Sequence, residues 1–373
     1  VSCTSPLEED ARAATRWRGE RPRVALRCLN LHPVFDSYRT HPPVKYAPSA
    51  VAELDHWVNP WTGAGLYRPS SSSPKPYIVE TEHWVRLAAG DRAQVGELWD
   101  WALALTRREV VRERFGGPEC RAIVTYSPGM TEHFKEFLSP DLWPKLTHCY
   151  PSAPQQPSAQ RPREAAFTIL TVGNRFAEKG IPEALEAYKI LRERHRDGVR
   201  MLLACRDLPG DLRLPAGVTA FSTHRMTEEL KSTVYRAADV LLLPVYWDLV
   251  NSFAEAPAFG IPTITTRIHH GDAFVRHGAT GYLLEPPVFA HSEGFGTRWR
   301  SRDDFVADID ARRLRGELRP LVEQAAELVE GMISGTTDHL AMGRAARQLH
   351  AERFAPEVRN ARLMRLYARA LEG

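Results

Sequence analysis

The sequence predicts an α/β protein of two doubly wound domains, and three observations carry that expectation. Short β-branched apolar runs alternate with segments of helical period, the pattern of a parallel sheet covered on both faces. Val240-Leu241-Leu242-Leu243 is an unbroken apolar run, as expected of a strand buried on both faces. PSAPQQPSAQRPR, with prolines at 151, 154, 157 and 162 and no hydrophobic period, breaks the chain near its middle. A length of 373 residues also favours two cores over one. The expected division is a first domain over 1–150, a stiff solvated linker over 151–163, a second domain over 164–350 and a terminal helix over 351–373.

Taken in order, residues 1–22 read as a polar lead-in, with a short helix around Glu8–Arg18. Val24–Leu29 is the first strand. The stretch that follows is rich in aromatics and histidine (His32, Phe35, Tyr38, His56, Trp57, Trp61) and has little period. It reads as padding of an irregular core or as the lining of an acceptor pocket. Tyr77–Val79 is a short strand, and Val95, Leu98, Trp99, Ala102 and Leu105 have helical spacing. Ala122–Tyr126 is a strand, and Ser127-Pro128 opens a helix through Leu138, with serine at the cap and proline in the first turn. Leu146–Tyr150 closes the first domain.

The second domain repeats the alternation more cleanly. Phe167–Val172 is a strand that stops at Gly173. Pro182 opens a helix with Ile181, Leu185 and Tyr188 on one face. Strands are expected at Val199–Ala204, Val218–Phe221, Val240–Leu243, Thr263–Thr266 and Gly281–Leu284. Thr227 caps one helix, and another, around Ala254–Phe259, stops at Gly260. The tail is helical to its end.

Composition excludes several classes. A net charge of +3 gives no support to nucleic-acid binding. Five scattered cysteines with no C-x-x-C pair argue against a disulfide framework or a zinc site and fit a reducing compartment. No run approaches the roughly 18 apolar residues of a membrane span. The polar N-terminal stretch lacks the apolar core of a secretory signal, so a cytoplasmic location is expected. The start at Val1 leaves the true N-terminus open.

Three loops of the second domain follow strand carboxyl ends, where ligands bind in such sheets. Gly173–Gly180 carries Arg175 and Lys179 beside a helix N-terminus, a combination that favours a phosphate-bearing ligand. Pro244–Ser252 carries Asp248, Asn251 and Ser252 and leads to Glu255. Arg267–Asp272 carries His269 and His270. Brought together, they suit a nucleoside diphosphate, with cations for the phosphates and a carboxylate for ribose hydroxyls. Each residue also has a plainer reading. Lys179 alone would be a solvated charge, Arg175 an internal ion pair, Glu255 a complement to the helix dipole, and His83, His269 and His270 structural.

The segments VGNRFAEKGIPEALEA, RAADVLLLPVYWDLVNSFAEAPAFGIPTITT and VRHGATGYLLEP, in this order between Phe167 and Pro286, resemble the nucleotide-binding domain of GT-B glycosyltransferases. They are most similar to glycosyltransferase family 4, the retaining nucleotide-sugar enzymes. The resemblance implies two Rossmann-like domains facing a central cleft, with the C-terminal helix crossing back onto the first, acceptor-binding domain. It implies that Lys179 grips the donor diphosphate and that Glu255 holds the ribose. Arg175, one residue past the place of the family's arginine, and Asp248, the acid nearest the place of its first glutamate, join them as the candidate catalytic set. Gly173, Asn174, Asn251, Ser252 and His270 would line the donor site, with His83 on the sugar side.

The chain departs from the family pattern at four places. Asn174 stands where the arginine is usual, Trp247 where the first motif glutamate is usual, and His269-His270 where a glycine pair is usual. The glycine-rich opening of the first domain is missing. The implied activity is transfer of a sugar from a nucleoside-diphosphate donor to an acceptor hydroxyl with retention, without a metal or other cofactor. The acceptor (glycan, small molecule or lipid-linked) is left open, and so is a weak association with a membrane surface. The alternatives are an epimerase or phosphorylase of the same fold, or a non-catalytic sugar-nucleotide-binding subunit.

Overall fold

The computed structural model of the chain describes residues 23–28, 52–58, 75–81, 84, 87, 108–157, 166–223, 226–247, 251–268, 271–287, 298–299 and 301–372. The chain forms two compact units. Unit 1 comprises Val1–Ala153, Ser292–Arg302 and Arg353–Gly373; unit 2 comprises Pro154–His291 and Asp303–Glu352.

Unit 1 is built on five parallel strands: β1 (Val24–Cys28), β2 (Leu54–Val58), β3 (Tyr77–Glu80), β4 (Cys120–Thr125) and β5 (Leu146–His148). They lie in the sheet in chain order. Two helices are α1 (Arg108–Phe115) and α2 (Pro128–Phe137). Ser127 caps α2, its hydroxyl accepting from Met130 N at 3.1 Å, with Pro128 in the first turn where no N–H partner is needed. The ammonium of Lys145 donates to Phe115 O (2.8 Å), Gly116 O (2.8 Å) and Gly117 O (2.6 Å), satisfying carbonyls at the end of α1.

Unit 2 runs β6 (Phe167–Arg175), α3 (Ile181–His195), β7 (Val199–Asp207), β8 (Val218–Phe221), α4 (Glu228–Arg236), β9 (Val240–Leu243), α5 (Ser252–Ala258), β10 (Thr263–Thr266), α6 (Gly271–Phe274) and β11 (Gly281–Leu284). The helices α7 (Arg302–Leu314), α8 (Arg319–Ile333) and α9 (His339–Arg353) follow. Its sheet is parallel with the order β11-β10-β9-β6-β7-β8. This is the doubly wound arrangement whose order reverses between the first and fourth strands, here β6 and β9. Two buried threonines of the sheet are tolerated because their hydroxyls find carbonyls on the neighbouring strand. Thr171 donates to Leu242 O and Thr265 to Leu243 O, both at 2.8 Å.

The chain ends in α10 (Pro356–Glu372), which belongs to unit 1. Its buried Arg359 donates to Glu80 Oε1 at 2.5 Å and to Tyr150 O at 2.5 Å. Tyr367 meets His56 Nδ1 at 2.8 Å, while His56 Nε2 lies 3.2 Å from Glu80 Oε2. All four side chains are buried, so each charge there needs its partner. Burial chiefly holds His56 below its ordinary value, against the opposing pull of Glu80.

The expected solvated linker is corrected at its start. Pro151 and Ala153 are buried, Ala153 N donates to Phe354 O at 3.0 Å, and Gln156 N donates to Ala258 O at 3.2 Å. Proline fixes φ, but the intervening N–H groups still find partners and tie the segment down. The helix expected from Val95 lies outside the described residues. Among the described residues, no helix is long and apolar enough to cross a membrane.

Candidate functional site

A strand order that reverses opens a crevice beyond the carboxyl ends of the two strands at the reversal. In unit 2 these are β6 and β9, and the residues that follow them are 176–180 and 244–247. Two glycines let the loops close on each other. Gly180 has φ 62°, and a Cβ there would stand 2.2 Å from Pro244 O, so only glycine fits both the left-handed backbone and the approach of the second loop. A Cβ on Gly173 would lie 2.9 Å from Cβ and Cγ of Lys179, so this glycine leaves room for the lysine stem.

Lys179 is only 4% exposed, and its ammonium donates to Trp247 O at 3.4 Å, across from one loop to the other. Tyr246 N donates to Glu178 O at 2.9 Å, a second link between the same loops. Beyond them α3 begins with no side-chain cap on its first-turn N–H groups. A buried cation beside a helix N-terminus at a switch point is a combination that favours an anion.

Arg175, the last residue of β6, is partly exposed, with Nη1 at 3.9 Å from Glu178 Oε2. Asn174 is exposed, and its Oδ1 accepts from the Thr223 hydroxyl at 2.9 Å. On the second loop, Asn251 O accepts from Ala254 N (2.8 Å) and Glu255 N (3.0 Å), which starts α5. The buried Ser252 hydroxyl has no hydrogen-bond partner among the described residues.

Glu255, in the first turn of α5, is held from two sides. Tyr235 OH donates to Oε2 at 2.6 Å, and Lys231 Nζ lies 2.5 Å from Oε1. Tyr235 is pushed well above its ordinary value, first by burial and then by the Glu255 charge, so it stays a donor. The structure therefore places Gly173, Asn174 and Arg175 at the carboxyl end of β6, Lys179 on the loop that follows it, and Asn251, Ser252 and Glu255 at the start of α5. Asp248, His269 and His270 lie outside the described residues, as does His83.

Sequence reasoning passed over Lys231, Tyr235 and Arg313. The first two stand four apart on α4 and so share a face, a spacing that marks one side of the helix but not what it meets. Arg313 on α7 donates from Nε to Glu183 Oε1 at 2.7 Å, fixing the first turn of α3. Burial, then the nearby Glu183 charge, raises the Tyr246 hydroxyl far above its usual value.

Two parallel-sheet units, the second with its order reversed beside a buried lysine, define the GT-B glycosyltransferase fold. Sucrose-phosphate synthase from Thermosynechococcus elongatus superposes with a TM-score of 0.58 at 16% identity, over 90% of this chain and 75% of that one. Anabaena Alr3699/HepE in complex with UDP-glucose gives 0.52 at 12% identity, over 79% and 72%.

Residues 166–292 match the family described as glycosyl transferases group 1. Glycogen synthase of Mycobacterium tuberculosis is 28% identical over 251 residues, a stretch covering 58% of this chain and 60% of the relative. The chain thus matches well under two thirds of that relative's length.

Proposed function

We propose that the chain transfers a sugar from a nucleoside-diphosphate sugar to an acceptor hydroxyl, with retention at the anomeric carbon and without a metal. The observation that carries this reading is Lys179, buried at the switch point of unit 2 and bonded across its two loops. The matched family over 166–292 and the UDP-glucose held by a protein of the same fold support it.

Cleaving the bond between the anomeric carbon and the diphosphate leaves negative charge on the departing oxygen and positive charge on the sugar ring. Lys179, Arg175 and the first turn of α3 stabilise the first of these from positions set before reaction, which is where electrostatic catalysis is most effective. The departing phosphate oxygen then accepts the proton of the acceptor hydroxyl as its oxygen bonds to the anomeric carbon on the same face. Glu255, oriented by Tyr235 and Lys231, accepts hydrogen bonds from the ribose. Asp248 completes the proposed catalytic set, His270 the donor-binding set and His83 the sugar side, with unit 1 as the acceptor-binding domain.

Donor turnover in excess chelator, with the anomeric configuration of the product determined by NMR, tests the reading. Full turnover with retention supports it. An absolute magnesium requirement or an inverted product contradicts it.

A further inference from the structure

The C-terminal helix presents two kinds of arginine. Arg359 points inward, and the Glu80 carboxylate answers its charge. Arg362, Arg365 and Arg369 follow at spacings of three and four, which places them on one face of α10. Leu363, Leu366, Tyr367 and Ala370 fill the buried side.

Among the described residues, half-buried Arg362 has no carboxylate partner. Its Nη2 donates to His148 Nδ1 at 3.3 Å, and the groups acting on it electrostatically are Cys149, Tyr150, Arg365 and Arg369. Burial, together with the two neighbouring cations, holds its guanidinium below the ordinary arginine value. A fourth cation, Arg353, lies over the Tyr150 ring at 5.9 Å from its centroid. Arg369, in the last turn, complements the helix dipole; Arg362 and Arg365, further in, gain little from it. Like charges on one helix face work against folding.

His148 adds a neutral donor. It is the last residue of β5, so it stands at the carboxyl end of the unit 1 sheet. Burial first, then Arg362, brings it down to about 4, so it is uncharged near neutrality. A neutral ring that accepts at Nδ1 carries its proton on Nε2, where it donates.

We propose that Arg362 and Arg369, with Arg365 and His148, form a binding site on unit 1 for a phosphate-type oxyanion. Guanidinium forks match such an anion with paired hydrogen bonds, and the anion would supply the charge that the described residues do not give Arg362. The anion is either a soluble phosphate group or the headgroup of an acidic lipid. The site uses unit 1 alone and does not depend on the donor reading for unit 2.

The test titrates inorganic phosphate into the full chain at constant ionic strength, following the melting midpoint, for wild type and for R362Q, R369Q and K179A. Wild type is expected to rise, and K179A to keep the part of that rise that depends on Arg362 and Arg369 whatever the unit 2 site adds, while the affinity at the unit 1 site falls about tenfold or more in R362Q and R369Q. Exposed Arg369 keeps the test open if R362Q folds poorly. Co-sedimentation with phosphatidylglycerol and with phosphatidylcholine vesicles separates the two sources. Arginine-dependent retention on the acidic vesicles alone assigns a lipid headgroup, and a phosphate response without retention assigns a soluble group. An equal phosphate response in wild type, R362Q and R369Q, with no arginine-dependent retention, overturns the proposal.

Discussion

The two units share one alternation of strand and helix and spend their polar residues in opposite ways. In unit 2 the strand order reverses between β6 and β9, and a buried lysine stands where the loops of those strands meet. In unit 1 the five described strands lie in chain order, with no reversal among them. There His56 and Glu80 turn to Arg359 and Tyr367 of the chain's own last helix. Similar layers thus carry the proposed ligand grip in one unit and a structural clasp in the other. The difference lies in strand order and in which partner each buried charge has.

Breaking the clasp should have the largest effect. Arg359→Met leaves Glu80 buried without its partner, and we expect a loss of about 3–5 kcal/mol in chemical denaturation. The double variant with Glu80→Gln should recover part of that loss. An unchanged midpoint in the single variant would remove the contrast between the units.

Lys179→Ala addresses the other side. Donor turnover should fall by about 10²–10³ in kcat/KM, the order found for losing one preorganised electrostatic donor. Turnover like wild type would leave the switch-point lysine without a role.

Tyr235→Phe sharpens the assignment of Glu255. Losing a hydrogen bond to a carboxylate should cost about 1.5–3 kcal/mol of stability, and it should raise KM for the donor more than it lowers kcat. A variant that loses stability with KM unchanged would make the contact structural only.

The smallest effect concerns pH. His148 is held at about 4 in the folded chain against 6.5 ordinarily, so unfolding takes up a proton between those values. Its contribution to stability is complete above about 6.5 and is lost as pH falls towards about 4. Melting midpoints of His148→Gln should therefore show a shallower decline over that window than wild type.

Unit 2 was the more legible half because its strands are short apolar or β-branched runs set between clear breaks. Val218–Phe221, Val240–Leu243, Thr263–Thr266 and Gly281–Leu284 form strands with the bounds that the sequence predicts. The strand at Leu54–Val58 escaped notice because Asp55 and His56 interrupt its apolar pattern, although both are buried. His56 is satisfied by Tyr367, 311 residues away, and no local pattern announces such a partner. The same holds for the site. Lys179 and Glu255 stood out through their places on a loop and a helix start, whereas Lys231, Tyr235 and Arg313 act only through contacts between elements.

The central claim is that unit 2 grips a nucleoside diphosphate through Lys179. A thermal-shift titration with UDP, GDP, ADP and TDP on wild type and Lys179→Ala tests it most directly, since a ligand bound only to the folded state raises the midpoint. The account predicts a clear rise with at least one diphosphate in wild type and little or none in the variant. A flat response to all four, or an equal rise in both proteins, would contradict it.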